Sequence, residues 1–185
     1  VLQAGADELD PSGEHVAWKQ TDITNADDCA ALVAFAAERF GRVDGVAHCA
    51  ALDNTFGGIE DADFDTWRKV FDVNVFGLLA ITRAVLPHMR ARGTGLVVNL
   101  SSVGGFVAWP GWGAYAATKF AVEALSEAMT HELAPLGIRS VAIEPGPFRT
   151  NFLDGSSLGF TRHVIEDYAS TAGASSPALR CPSAR

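Results

Sequence analysis

Four short apolar runs, each separated from the next by a longer stretch with helical periodicity, constrain this chain more than any other feature of its sequence. The runs are residues 15–22 (HVAWKQTD), 43–49 (VDGVAHC), 95–101 (GLVVNLS) and 138–144 (IRSVAIE). Strands linked by amphipathic helices pair in parallel, so the alternation predicts an α/β fold with a parallel sheet and crossover helices. Between the first two runs, residues 25–40 carry Asp27 and Asp28 in the opening turn. Leu32, Val33, Phe35 and Ala36 follow at helical spacing, and Gly41 supplies the stop. That combination predicts a helix. Residues 64–92 read as one or two helices with Trp67, Val70, Phe71, Val75, Leu78 and Leu79 turned inward, ending at Gly93. Residues 115–133 read as a further helix, closed by Pro135 and Gly137.

The two ends do not follow this pattern. Residues 1–13 read as the tail of a helix and a turn, with no strand before them. The last stretch, STAGASSPALRCPSAR, has no strand or helix period and reads as disordered or foreign to the fold. Residues 1–176 are therefore expected to form a single, incomplete domain and residues 177–185 an irregular tail.

A net charge of -8 and a pI near 5.0 disfavour nucleic acid or an anionic membrane surface as a partner. No apolar run is expected to span a membrane, because residues 73–89 are interrupted by Arg83, Pro87 and His88. Cys29, Cys49 and Cys181 show neither CxxC nor His-paired metal spacing. They fit a reducing, cytoplasmic setting without a metal, as small buried hydrophobes.

The chemistry concentrates in YAATK, residues 115–119. Tyr115 and Lys119 lie at i and i+4 on the expected helix, so their side chains share one face. An ammonium about 4 Å from a phenol oxygen, at an effective dielectric near 20, favours the phenolate by roughly 4 kcal/mol, or about three pKa units. The expectation is a tyrosine drawn from its ordinary value toward neutrality, where it can exchange a proton. Ser102 sits thirteen residues earlier, at the carboxyl end of a predicted parallel strand, where ligands of open α/β sheets collect. A hydroxyl there can hold a substrate oxygen while the phenol trades its proton.

In order, TDIT at 21–24, FDVNVFG at 71–77, GLVVNLSS at 95–102, YAATK at 115–119 and EPGPFRT at 144–150 resemble the motifs of the short-chain dehydrogenases/reductases. The resemblance runs over about 70% of the chain. It implies a doubly wound, Rossmann-like parallel sheet binding NAD or NADP, and hydride transfer to or from an alcohol or carbonyl. By the same resemblance Tyr115 is the general acid/base and Ser102 the substrate-orienting hydroxyl. Lys119 lowers the tyrosine pKa and touches the nicotinamide ribose, and Asn74 holds a water in the proton relay. Asp22 contacts the adenine with Ile23 beside it, and Pro145, Gly146, Phe148 and Thr150 lie along the nicotinamide. The family also implies a homo-oligomer joined through helices at 74–92 and 115–133.

The sequence departs from the family in two places. Where the family has Asn-Asn-Ala-Gly this chain reads His48, Cys49, Ala50, Ala51. The side-chain amides are lost and Ala51 narrows the backbone approach to the cofactor, so Cys49, Ala50 and Ala51 are expected to line the cofactor with altered contacts. No glycine-rich strand-to-helix turn precedes Asp22 to cradle a pyrophosphate. By resemblance, a first strand belongs between the strands at 15–22 and 43–49. GxGxxA occurs at Gly111, Gly113 and Ala116 but follows no strand and reads as coincidence. Trp109 and Trp112, with Phe152 and Leu153 in a glycine-punctuated lid, are expected to line a pocket for a hydrophobic or bulky small-molecule alcohol or ketone. His163 reads as a surface residue and Tyr168, lacking a lysine four later, as uninvolved. The competing reading is a catalytically inactive fragment or a non-catalytic binding module without a phosphate cradle.

Overall fold

The computed structural model describes residues 2–146, 148, 158–160 and 165–173. A helix α1 (Leu2–Leu9) leads into an extended stretch, then α2 (Ala26–Phe40), β1 (Gly45–His48) and β2 (Asp53–Phe56). Next come α3 (Phe64–Phe71), a π-helical segment at Asp72–Gly77, α4 (Leu78–Arg92) and β3 (Gly95–Leu100). A short turn at Val103–Gly105 precedes α5 (Gly113–Leu133), β4 (Ile138–Ile143) and β5 (Leu158–Phe160).

The local signals account for the boundaries. Asn25 accepts the backbone amides of Asp27 and Asp28 and caps α2, while Gly41, at φ 78°, closes it in a left-handed turn. In the main sheet β3 lies between β1 and β4, parallel to both, with Val46 beside Val97 and Val98 beside Val141. The core packs Cys29 and Val33 of α2, Leu78, Ile81, Val85 and Met89 of α4, and Val122, Met129 and Leu133 of α5 against Val97 and Ile138. On the opposite face Val141 and Ile143 are exposed. The apolar residues at both parities of β4 suit a strand covered on two faces, and the described residues cover one.

Residues 15–22 follow the strand expectation only in part. They run extended but join no ladder among the described residues, and Trp18 is 41% exposed. A strand is defined by its partner, and period-two apolarity alone does not supply one. The expectation that no stretch reaches membrane length also needs correction. By length and composition alone, the continuous helix Phe64–Arg92 could cross a membrane. Leu78, Ile81, Val85 and Met89 nevertheless face the core, the behaviour of a buried helix in a layered fold. The cysteines divide: Cys29 is buried, its thiol donating to the Ile23 carbonyl at 3.3 Å, whereas Cys49 is exposed rather than a small core residue. Cys181 and the rest of the tail lie outside the described residues, as do Thr150, Phe152, Leu153 and His163.

The π-helical segment is the feature periodicity could not foresee. It shifts Asn74, Val75 and Gly77 to the inside, so Asn74 is 3% exposed. Gly77 leaves room there: a Cβ would lie 2.8 Å from Ile23 Cδ1, and that side chain would have to shift.

Candidate active site

The carboxyl ends of the parallel strands β1, β3 and β4 point to one edge, and the loops leaving them carry the chemistry. Ser102, two residues past β3, is in extended backbone and its Oγ accepts the Gly104 amide at 3.1 Å. That bond holds the hydroxyl at the mouth of the turn. Tyr115 enters from the first turn of α5 at 3% exposure, and the Ser102 hydroxyl hydrogen-bonds its phenol. Lys119, one turn on and 4% exposed, places Nζ 5.6 Å from the centre of the Tyr115 ring and donates to the Leu100 carbonyl at 2.8 Å. Ser102, Tyr115 and Lys119 thus share one side of the sheet.

The electrostatics correct the expected tuning. Burial pushes the Tyr115 phenol up to about 12; the Ser102 hydrogen bond works against this and the Asp53 charge adds to it. Burial lowers Lys119 to about 8, with Asp53, Glu123 and Cys49 pulling it back up. The ammonium is directed to the end of β3, with Nζ over the Tyr115 ring. Desolvation of the phenolate therefore outweighs what that cation returns.

Asn74 is held by three bonds. Its Oδ1 accepts the Leu52 amide at 2.7 Å, and its Nδ2 donates to the Leu52 carbonyl at 2.9 Å and to Thr118 Oγ1 at 3.1 Å. Thr118 in turn donates to the Tyr115 carbonyl at 2.7 Å. One amide therefore fixes the loop after β1 against the helix that carries the tyrosine.

At the remaining positions, Asp22 is exposed and its Oδ1 accepts both the amide and hydroxyl of Thr24, at 2.9 and 2.7 Å. Those bonds hold its carboxyl below the usual range. Ile23 is turned inward against the core. Cys49 and Ala50 are exposed and Ala51 half-buried just past β1. Pro145 is half-buried and accepts the Val103 amide at 3.3 Å; Gly146 and Phe148 are exposed. Trp112 is 6% exposed and stacks on Tyr115 with ring centres 5.2 Å apart, so it packs behind the phenol more than it faces an open pocket. Trp109, 39% exposed, is 5.6 Å from Trp112. The phenol of Tyr168 donates to Glu60 at 2.8 Å.

The sequence reading missed Asp53. It is 2% exposed, its Oδ2 accepts the Trp112 indole at 3.1 Å, and burial pushes its carboxyl up to about 7. A single acid shortly after a strand carries no motif; its proximity to Tyr115 arises from the fold. In sequence, His48 shows only that an asparagine of the family pattern is absent. In the structure its Nε2 lies 3.0 Å from Thr82 Oγ1, which donates to the Leu78 carbonyl at 2.8 Å.

A family model described as short chain dehydrogenase matches residues 1–158, and the chain belongs to that family. The crystal structure of a short-chain dehydrogenase from Streptomyces avermitilis is 35% identical, with a TM-score of 0.86 over 98% of this chain and 66% of that one. A short chain dehydrogenase/reductase from Burkholderia phymatum, solved in complex with NAD, is 29% identical with a TM-score of 0.78, covering 84% of this chain and 56% of its own. A gluconate 5-dehydrogenase from Burkholderia cenocepacia, solved with NADP and tartrate, is 30% identical with a TM-score of 0.69, covering 72% of this chain and 52% of its own. The chain spans just over half the length of the curated relatives it matches.

Proposed function

We propose that this chain carries the catalytic part of an NAD(P)-dependent oxidoreductase that interconverts an alcohol and a carbonyl compound. The observation that carries the reading is the meeting of the Ser102 hydroxyl, the Tyr115 phenol and the Lys119 ammonium at the carboxyl edge of a parallel sheet. Solved relatives hold NAD or NADP, and the chemistry of this edge suits the nicotinamide end of either. Lys119 gives one of its three N–H donors to Leu100, and the others suit ribose hydroxyls. Small residues, Cys49 and Ala50 on one flank and Gly146 on the other, allow close approach, with Ala51 narrowing it on the first flank; a Cβ at Gly146 would meet no atom within 4 Å.

When bound, the nicotinamide supplies or accepts the hydride at the substrate carbon. Tyr115 then exchanges the proton at the substrate oxygen: the phenol donates it as a carbonyl is reduced, and the phenolate accepts it as an alcohol is oxidised. Ser102 orients that oxygen by a hydrogen bond. Asn74 holds the water of a proton relay and keeps the loop after β1 in place. Asp22 and Ile23 serve the adenine end; Pro145, Gly146, Phe148 and Thr150 serve the nicotinamide. Trp109, 39% exposed, borders a site for a hydrophobic or bulky small molecule. The protein works in the cytoplasm, as its cysteine usage suggests. It assembles as a homo-oligomer through α4 and α5 and the adjoining π-helical segment, supported by exposed Phe76 and Phe120.

Fluorescence titration of the full-length protein with NADH and NADPH tests the reading. Saturable binding of one or both is expected. Lys119→Met should weaken it by about 10- to 100-fold, the loss of charge-assisted hydrogen bonds. Absence of binding by the wild-type protein overturns the proposal.

A further inference from the structure

Asp53 is tied to the catalytic pair through a continuous set of contacts. The residue before it, Leu52, is fixed at both backbone groups by the Asn74 amide. The buried Asp53 carboxyl accepts the Trp112 indole through Oδ2, and that indole lies on the Tyr115 ring at 5.2 Å with 29° between the planes. Phe56, at the other end of β2, meets the same indole at 5.6 Å. The Gly57 amide donates to the Gly111 carbonyl at 3.0 Å, a second tie between this segment and the turn that opens α5. Asp53 Oδ1 is fully buried, so the carboxyl acts from behind the aromatic wall.

We propose that Asp53 is a positioning residue of the Tyr115–Lys119 pair: through its hydrogen bond to the Trp112 indole it holds that ring against the phenol and brings a buried carboxyl beside the pair. The inference deepens the proposed oxidoreductase reading and rests on it for its kinetic consequence. Among the described groups, Tyr115 and Lys119 face the field of Asp53, while Glu123 and Cys49 act on Lys119 as well. An ionised Asp53 opposes the phenolate and favours the ammonium, so it sets how far the pair can be deprotonated. Its own carboxyl, raised by burial to about 7, changes charge near neutral pH and makes that control pH-dependent.

Asp53→Asn retains an acceptor of the same shape for the indole and removes the charge. On this chain, the Trp112 indole Nε1–H resonance should shift with a midpoint near neutral pH in the wild type and stay constant in the variant. In the full-length enzyme, the limb of the pH–rate profile set by Tyr115 should move to lower pH by about one unit in Asp53→Asn. A wild-type indole resonance that is flat between about pH 5 and pH 9 overturns the proposal, a measurement that needs no variant to fold. So does an unchanged pH–rate profile in a variant that is merely less stable. If the wild-type enzyme shows no turnover, the oxidoreductase reading fails, and the resonance still decides whether Asp53 titrates beside Trp112.

Discussion

At the residue scale, burial more than pairing sets the behaviour of the interior ionisable groups His48, Asp53, Tyr115 and Lys119. His48 shows this away from Tyr115 and Lys119. Its pKa is lowered from 6.5 to about 4 because the half-buried imidazolium is poorly solvated. Above pH 6.5 the ring is neutral folded or unfolded and contributes nothing to pH dependence. As the pH falls from 6.5 to 4 the unfolded chain takes up a proton that the folded chain refuses, so stability is lost across that window. The shift corresponds to at most about 3 kcal/mol. Asp53, raised to about 7, takes up a proton in the folded chain over the same window and acts in the opposite sense, so relative to the wild type the denaturant midpoints of His48→Asn should fall less, or rise more, as the pH drops from 6.5 to 4. Equal slopes would show that His48 does not remain neutral in the folded chain. The same dominance of burial explains why the spacing of Tyr115 and Lys119 predicted their shared face but misjudged the phenol. Sequence gives separation along a helix, whereas the pKa depends on how much water and which other charges remain around it.

At the element scale, the legible parts were those with local signals. Asn25 and Gly41 bound α2 within a residue of expectation, and the strands at Gly45–His48, Gly95–Leu100 and Ile138–Ile143 fall inside three of the four apolar runs. The fourth run, 15–22, has strand composition without a described neighbour, and pairing is non-local. The π-helical segment was equally hidden, since one additional residue per turn leaves no mark on a hydrophobic pattern already broken by Asp72 and Asn74. Its consequence is measurable. Asn74→Ala removes the partner of both Leu52 backbone groups and one partner of Thr118. The expected loss is roughly 2–4 kcal/mol of folding free energy by denaturant titration, from buried polar groups left without partners. A loss below about 0.5 kcal/mol would show that water replaces the amide without cost.

At the scale of the whole molecule, a one-dimensional order of motifs becomes a site. Ser102 leaves one strand, Tyr115 and Lys119 stand on the helix that follows, and Asn74 and Asp53 arrive from elements earlier in the chain. Ser102, Tyr115, Lys119 and Asn74 were recognisable because their spacing is local or belongs to a family motif. Asp53 and the His48–Thr82 contact were not, because their partners are 59 and 34 residues away. The account depends on the phenol of Tyr115 exchanging a proton with a substrate whose carbon exchanges hydride with a nicotinamide. The most direct measurement is the rate of nicotinamide oxidation or reduction by the full-length enzyme and its Tyr115→Phe variant, over a panel of alcohols and ketones, beside cofactor titration of both. Loss of turnover by about 100-fold or more, with cofactor affinity nearly unchanged, is the predicted result for removal of a general acid/base. Turnover in Tyr115→Phe equal to that of the wild type would contradict it.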